Sequence, residues 1–221
     1  MGTWAGAFVN WKGRGDLVEI LDGHHIDMVT VEPKKGWLYV RTAASFDSLR
    51  VPRFAQALSE ELGTQVIGFF LQSTASVEEV VCFDRGERVR SLRYNHDEGG
   101  WLERDGKTQD WEHVYFFGRD ESVEEEDEWP LNLPDELADE ELERYRRARA
   151  EGDPEPVLDL FVMGNAWGLE RLARHLGVDP NVPGARHEPV ENRRYFRKVL
   201  LAGLVVALFW AFMFYLGARG R

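Results

Sequence analysis

Cysteine is nearly absent: the 221 residues hold one, Cys82. A single thiol excludes an internal disulfide framework and a cysteine zinc site built within one chain. It fits a reducing compartment. Lysine is scarce as well, so the basic residues are almost all arginine; this bias fits GC-rich coding and a bacterial source. Positive charge is in short supply overall, with a formal net charge of −12. No basic stripe exists to neutralise phosphates, which argues against a nucleic-acid partner. The N-terminal MGTWAGAFVNWKGRGD has no apolar run of signal-peptide length, so export of the body is not expected. Position 6 is Gly rather than Ser or Thr, which removes the myristoylation pattern. Gly13-Arg14-Gly15-Asp16 lacks the Lys-Ser/Thr ending of a phosphate loop and reads as a turn. No internal repeat is evident.

What the sequence does contain is one long apolar run. Val199 to Ala218, VLLAGLVVALFWAFMFYLGA, carries no charged residue. At about 1.5 Å per residue such a helix crosses a hydrocarbon core of about 30 Å. Val199, Leu204, Leu208, Trp210 and Phe214 stand for the membrane anchor, and the whole segment, aromatic flank included, is 196–218. Arg193, Arg194, Arg197 and Lys198 precede it, and only Arg219 and Arg221 follow. The positive-inside rule then keeps the N-terminal body in the cytoplasm, with the lipid bilayer as one partner. The expected topology is single-pass and tail-anchored, in a bacterial inner membrane. Gly203 and Ala207 form a small-xxx-small pair that can support helix dimerisation. A tolerated small residue in lipid is the plainer reading, so a homo-oligomer is possible but not indicated.

The body divides by composition. Residues 1–118 predict an α+β domain. Ala5–Trp11, Leu17–Leu21, Ile26–Glu32 and Gly36–Thr42 read as strands. Val51, Phe54, Ala55, Leu58 and Leu62 form one apolar stripe, so a helix is predicted over 50–62, closed by Gly63. Gln65–Gln72 is almost continuously apolar and reads as a central strand. Val77–Phe83 and Arg88–Tyr94 flank a Gly-containing turn, a hairpin. Trp101–Arg104 and Trp111–Phe117 are expected to form a second hairpin. Strands joined by short turns predict an antiparallel sheet with one main packing helix, followed by C-terminal helices and a single transmembrane helix.

Residues 119–134 hold seven acids, two prolines and no periodicity, the composition of an exposed linker. Within them Glu124, Glu125, Glu126, Asp127 and Glu128 make an acidic run. Solvation of a linker is the plainer reading of that run; docking on a basic surface of a protein partner is the sharper one. Residues 135–177 predict helices. The first carries acids before arginines and a thin apolar stripe of Leu137, Leu142, Tyr145 and Ala148. Residues 178–195 contain Pro180, Pro183 and Pro189 and read as a semi-rigid spacer.

Candidate chemistry is thin. His24, His25 and Asp27, next to Asp22, could ligate a metal if other segments completed the shell. Adjacent histidines on a strand point to opposite faces, however, and DGHH also reads as an exposed turn. His96-Asp97-Glu98 reads as a solvated loop rather than a catalytic pair. Cys82 sits in an apolar strand with no activating base in view, so a core role is expected. No cofactor motif and no catalytic set is present. These features predict a membrane-tethered binding or regulatory module. The alternatives are a structural subunit of a membrane complex and a membrane-anchored, metal-dependent hydrolase.

Overall fold

The computed structural model of the chain describes residues 2–13, 26–30, 35–42, 49–118, 137–164, 166–178 and 187–189. The expected strand at Leu17–Leu21, the acidic linker 119–134 and the apolar segment 196–218 lie outside the described residues. Among the described residues no helix is long and apolar enough to cross a membrane.

Among the described residues eight strands form one antiparallel sheet. They are β1 (Thr3–Asn10), β2 (Ile26–Thr30), β3 (Trp37–Thr42), β4 (Gln65–Gln72), β5 (Val77–Asp84), β6 (Glu87–Asn95), β7 (Gly100–Gly106) and β8 (His187–Pro189). Their spatial order is β7-β6-β5-β4-β1-β3-β2-β8. β4 sits at the centre, paired with β1 on one side and β5 on the other, which is why its sequence is apolar on both faces. The β5–β6 hairpin turns at Arg85 and Gly86, both at positive φ, 51° and 85°. That is the two-residue geometry whose twist suits flanking strands.

Period-2 alternation sorts the strand residues between two cores. One face carries Ala5, Ala7, Val9, Leu38, Val40, Val66, Phe70, Val81 and Phe83. Helix α1 (Val51–Leu62) lies on it and buries Val51, Phe54, Ala55 and Leu58, the predicted stripe. Gly68 lets the helix approach: a Cβ there would stand 2.7 Å from the Ala55 Cβ. Gly63 closes the helix at φ 59°, a left-handed cap. The Ser59 hydroxyl donates to the Thr64 carbonyl at 2.6 Å and accepts the Gly86 N–H at 3.0 Å, tying the helix end to the β5–β6 turn.

The opposite face carries Phe8, Tyr39, Ile67, Phe69, Leu71, Val80, Cys82, Leu92 and Tyr94. It is covered by α2 (Asp110–Phe117), α3 (Asp139–Glu151), a 3-10 helix (Glu155–Leu160) and α4 (Trp167–Leu176). Helices thus cover both faces, in keeping with an α+β fold built on an antiparallel sheet. Helix α3 buries Leu142, Tyr145 and Ala148 and leaves most of its other side chains to solvent, as its thin stripe implies. Where α4 meets α2, Gly168 gives room for the Tyr115 ring, 2.8 Å from the position a Cβ would take.

Two sequence expectations are corrected. Trp111–Phe117 is helical, not the return strand of a second hairpin. Its residues are buried on nearly every side, so neither period shows in them. What fixes the helix is a reciprocal pair of bonds at its start: the Gln109 N–H donates to Glu112 Oε1 at 2.7 Å, and the Gln109 carbonyl accepts the Glu112 N–H at 2.9 Å. The second correction concerns the proline-containing spacer. Residues His187–Pro189 within it form an edge strand, with Val29 opposite Glu188 and Thr30 opposite His187. Proline is tolerated there because an edge strand leaves some N–H positions unpaired.

Candidate functional site

Two buried polar clusters and one cleft stand out among the described residues, all on the side of the sheet covered by α2, the 3-10 helix and α4. The first cluster centres on Arg90, 1 % exposed in the middle of β6. Its side chain shares a face with Leu92 and Tyr94, where a charge needs a partner. Glu112, on the first turn of α2, supplies it. Arg90 Nε donates to Glu112 at 3.0 and 3.2 Å and Nη2 donates at 2.9 Å. Nη1 donates to the Gly106 carbonyl at 3.0 Å, and Nη2 also reaches Glu155 at 3.1 Å. Burial raises the Glu112 carboxyl to about 6 against the opposing pull of Arg90. The pair joins the sheet, α2 and the 3-10 helix.

The second cluster centres on Glu78 in β5. Its carboxyl accepts the Tyr115 hydroxyl and, at 2.7 Å, the Gly164 N–H. Burial raises the Glu78 carboxyl and lifts the Tyr115 hydroxyl well above its ordinary range, with the neighbouring carboxylate adding to the latter. Both oxygens have donors and the group is enclosed, so the arrangement holds β5, α2 and the 161–164 turn together. Both clusters are saturated by their own partners and enclosed, which suits structure better than turnover.

The cleft lies at the end of the sheet where β3 and β4 begin. Trp37, Gln65, Thr108, Gln109, Asp110, Trp111, His175 and Leu176 line it, and it encloses about 330 Å³. Trp37 and Gln65 come from the strands. Thr108 to Trp111 form the N-terminal end of α2. His175 and Leu176 end α4, and the His175 carbonyl accepts the Lys35 ammonium at 2.6 Å. Behind the cleft wall is Cys82, fully buried. Burial pushes its thiol up to about 12, with Trp111 and Gln65 drawing it back only in part. A thiol so raised is no nucleophile at neutral pH, as its strand position implies.

The residues singled out by sequence fall elsewhere. His24 and His25 lie outside the described residues, and Asp27 is described only as backbone within β2. The acidic run Glu124 to Glu128, the basic flank Arg193, Arg194, Arg197 and Lys198, and Val199, Leu204, Leu208, Trp210 and Phe214 also lie outside them. Among the described residues no group of three His, Cys, Asp or Glu side chains is arranged to hold a metal. His96-Asp97-Glu98 is an exposed 3-10 turn capped by Asn95, whose Oδ1 accepts the Asp97 N–H at 3.0 Å. The His113 ring packs at 5.7 Å from Phe117.

Sequence reasoning missed Arg90–Glu112 and the cleft. The signal for the first was there: alternation puts Arg90 on the face of Leu92 and Tyr94, and such an arginine demands a buried carboxylate. The cleft joins residues 37, 65, 108–111 and 175–176, which no local pattern connects.

Comparison with known protein families, with curated proteins and with solved structures found no match.

Proposed function

We propose that the chain is a membrane-tethered binding module, with its N-terminal body held at the cytoplasmic face of a bacterial inner membrane by a single C-terminal helix. The observation that carries the reading is the run Val199–Ala218, free of charge over a membrane's thickness and preceded by Arg193, Arg194, Arg197 and Lys198. Two features of the body favour binding over catalysis. The buried pairs Arg90–Glu112 and Glu78–Tyr115 are engaged with one another, and the cleft at the end of the sheet is lined by aromatic and polar side chains suited to recognition.

The reading separates from its alternatives by exchange of the apolar run. Full-length protein, purified in mild detergent, is compared with a form in which 199–218 is replaced by an unrelated apolar segment of equal length. A binding module retains its partner in both. A structural subunit of a membrane complex loses it with the exchange. A partner present on neither form contradicts both readings.

A further inference from the structure

The cleft between the strand ends and helices α2 and α4 has a composition that selects among ligands. Its walls include two indoles, Trp37 and Trp111, and the aliphatic Leu176. Among the described lining residues the one carboxylate is Asp110, an exposed residue at the first position of α2, and none is Lys or Arg. An anion finds little there. The start of α2 is already capped: the Gln109 N–H donates to Glu112 Oε1 at 2.7 Å. A cation finds two favourable features. Indole faces attract cations through the ring quadrupole. Asp110 supplies an opposite charge at the mouth. The carbonyl end of α4 is already taken by the Lys35 ammonium, on the His175 carbonyl at 2.6 Å, so a ligand cation is left the indoles and Asp110. The chain's net charge of −12 steers cations toward the body as a whole. A space of about 330 Å³ is at the small end for ligand pockets, suited to one alkylammonium or guanidinium group with its stem and too small for a nucleotide.

We propose that this cleft is a binding site for an organic cation, either a free amine or guanidine or the side chain of a Lys or Arg on a partner protein. The lining residues named here all belong to the body, so the proposal stands whether or not the C-terminal run spans a membrane.

The test is calorimetric titration of the full-length protein in a polyoxyethylene detergent, whose headgroup is neither cationic nor a sugar. The probes are tetramethylammonium, arginine amide, a short Arg- and Lys-containing peptide, the neutral isostere neopentyl alcohol, glucose and inorganic phosphate. The cations are expected to bind saturably and the neutral and anionic probes not to bind. D110N and W37L should each weaken cation binding about tenfold. D97N, at the opposite end of the β5–β6 hairpin, should leave it unchanged. Thermal melts of all three variants show that the fold persists. Tighter binding of the peptide than of free arginine amide makes a partner side chain the source; equal binding makes it a free small cation. Glucose or phosphate binding as well as the cations, cation binding indifferent to D110N and W37L, or no saturable cation binding overturns the proposal.

Discussion

Replacing Arg90 by Met tests the energetic reading of the body most sharply. The substitution keeps the length and apolar bulk of the side chain and removes its charge. It strips Glu112 of three short hydrogen bonds, at 2.9 to 3.2 Å, and leaves the Gly106 carbonyl without its 3.0 Å donor. At pH 8 the Glu112 carboxylate would then be buried uncompensated, a loss of about 3–5 kcal/mol. Arg90 is the chief influence lowering the Glu112 carboxyl, which even so sits at about 6. Without it that value rises further, so at pH 5 the carboxyl is protonated and the loss falls to about 1–3 kcal/mol. R90M is therefore less damaging in acid than in base. The double variant R90M/E112L removes both charges. It should recover most of the loss and remain short of wild type by about 1 kcal/mol, because Glu112 also caps α2. Pulse proteolysis across a urea series, on full-length protein in non-ionic detergent at pH 8 and pH 5, reads all of these. A loss below about 1 kcal/mol at pH 8, equal losses at both pH values, or additive single substitutions would refute the reasoning.

Three further predictions follow from the same packing. G68A forces a Cβ to 2.7 Å from the Ala55 Cβ and 3.1 Å from Val51 Cγ1; a loss of about 1–3 kcal/mol is expected in the same unfolding assay, partly relieved by adding A55G. Glu79 is raised from 4.5 to about 7, chiefly by burial, with Arg93 lowering it and Glu103 raising it. A raised carboxyl favours the protonated folded form, so its contribution is fully present below pH 4.5 and is lost as pH rises through about 7. E79Q should match wild type near pH 4 and exceed it at pH 8 by on the order of 2 kcal/mol after allowance for solvent screening; equal stability of the two at pH 8 contradicts this. Cys82, buried with its thiol pushed up to about 12, should resist maleimide in the folded protein at pH 7 and react once urea unfolds it. Mass spectrometry distinguishes the two, and rapid labelling of folded protein would place the thiol at the surface.

Elements whose burial is one-sided, or uniform and short, were legible in the sequence. α1 announced itself through Val51, Phe54, Ala55 and Leu58, and β4 through its unbroken apolar run, because each has one periodicity and clear punctuation at Gly63 and beyond. α2 was hidden because Trp111, Val114, Tyr115, Phe116 and Phe117 are all buried; uniform burial erases the 3.6-residue period, and only Gln109 and Glu112 carried the helical signal. β8 was hidden because three residues among prolines gain their strand form from Met28, Val29 and Thr30, far away in the chain. The candidate cleft depends on the same long-range assembly. Its aromatic residues, Trp37 and Trp111, are 74 positions apart in the sequence and meet only through the sheet and α2.

The central claim, a cytoplasmic body tethered by one C-terminal helix, is tested most directly by membrane fractionation combined with protease accessibility. The full-length chain is expressed in a bacterium, and its membranes are washed with alkaline carbonate. Protease is then added to spheroplasts and, separately, to inverted vesicles. The account predicts that the chain stays in the membrane pellet, is protected in spheroplasts and is digested in inverted vesicles. It also predicts that L204R/L208R releases the chain into the soluble fraction. Extraction of the wild-type chain by carbonate, or digestion of the body in intact spheroplasts, would contradict it.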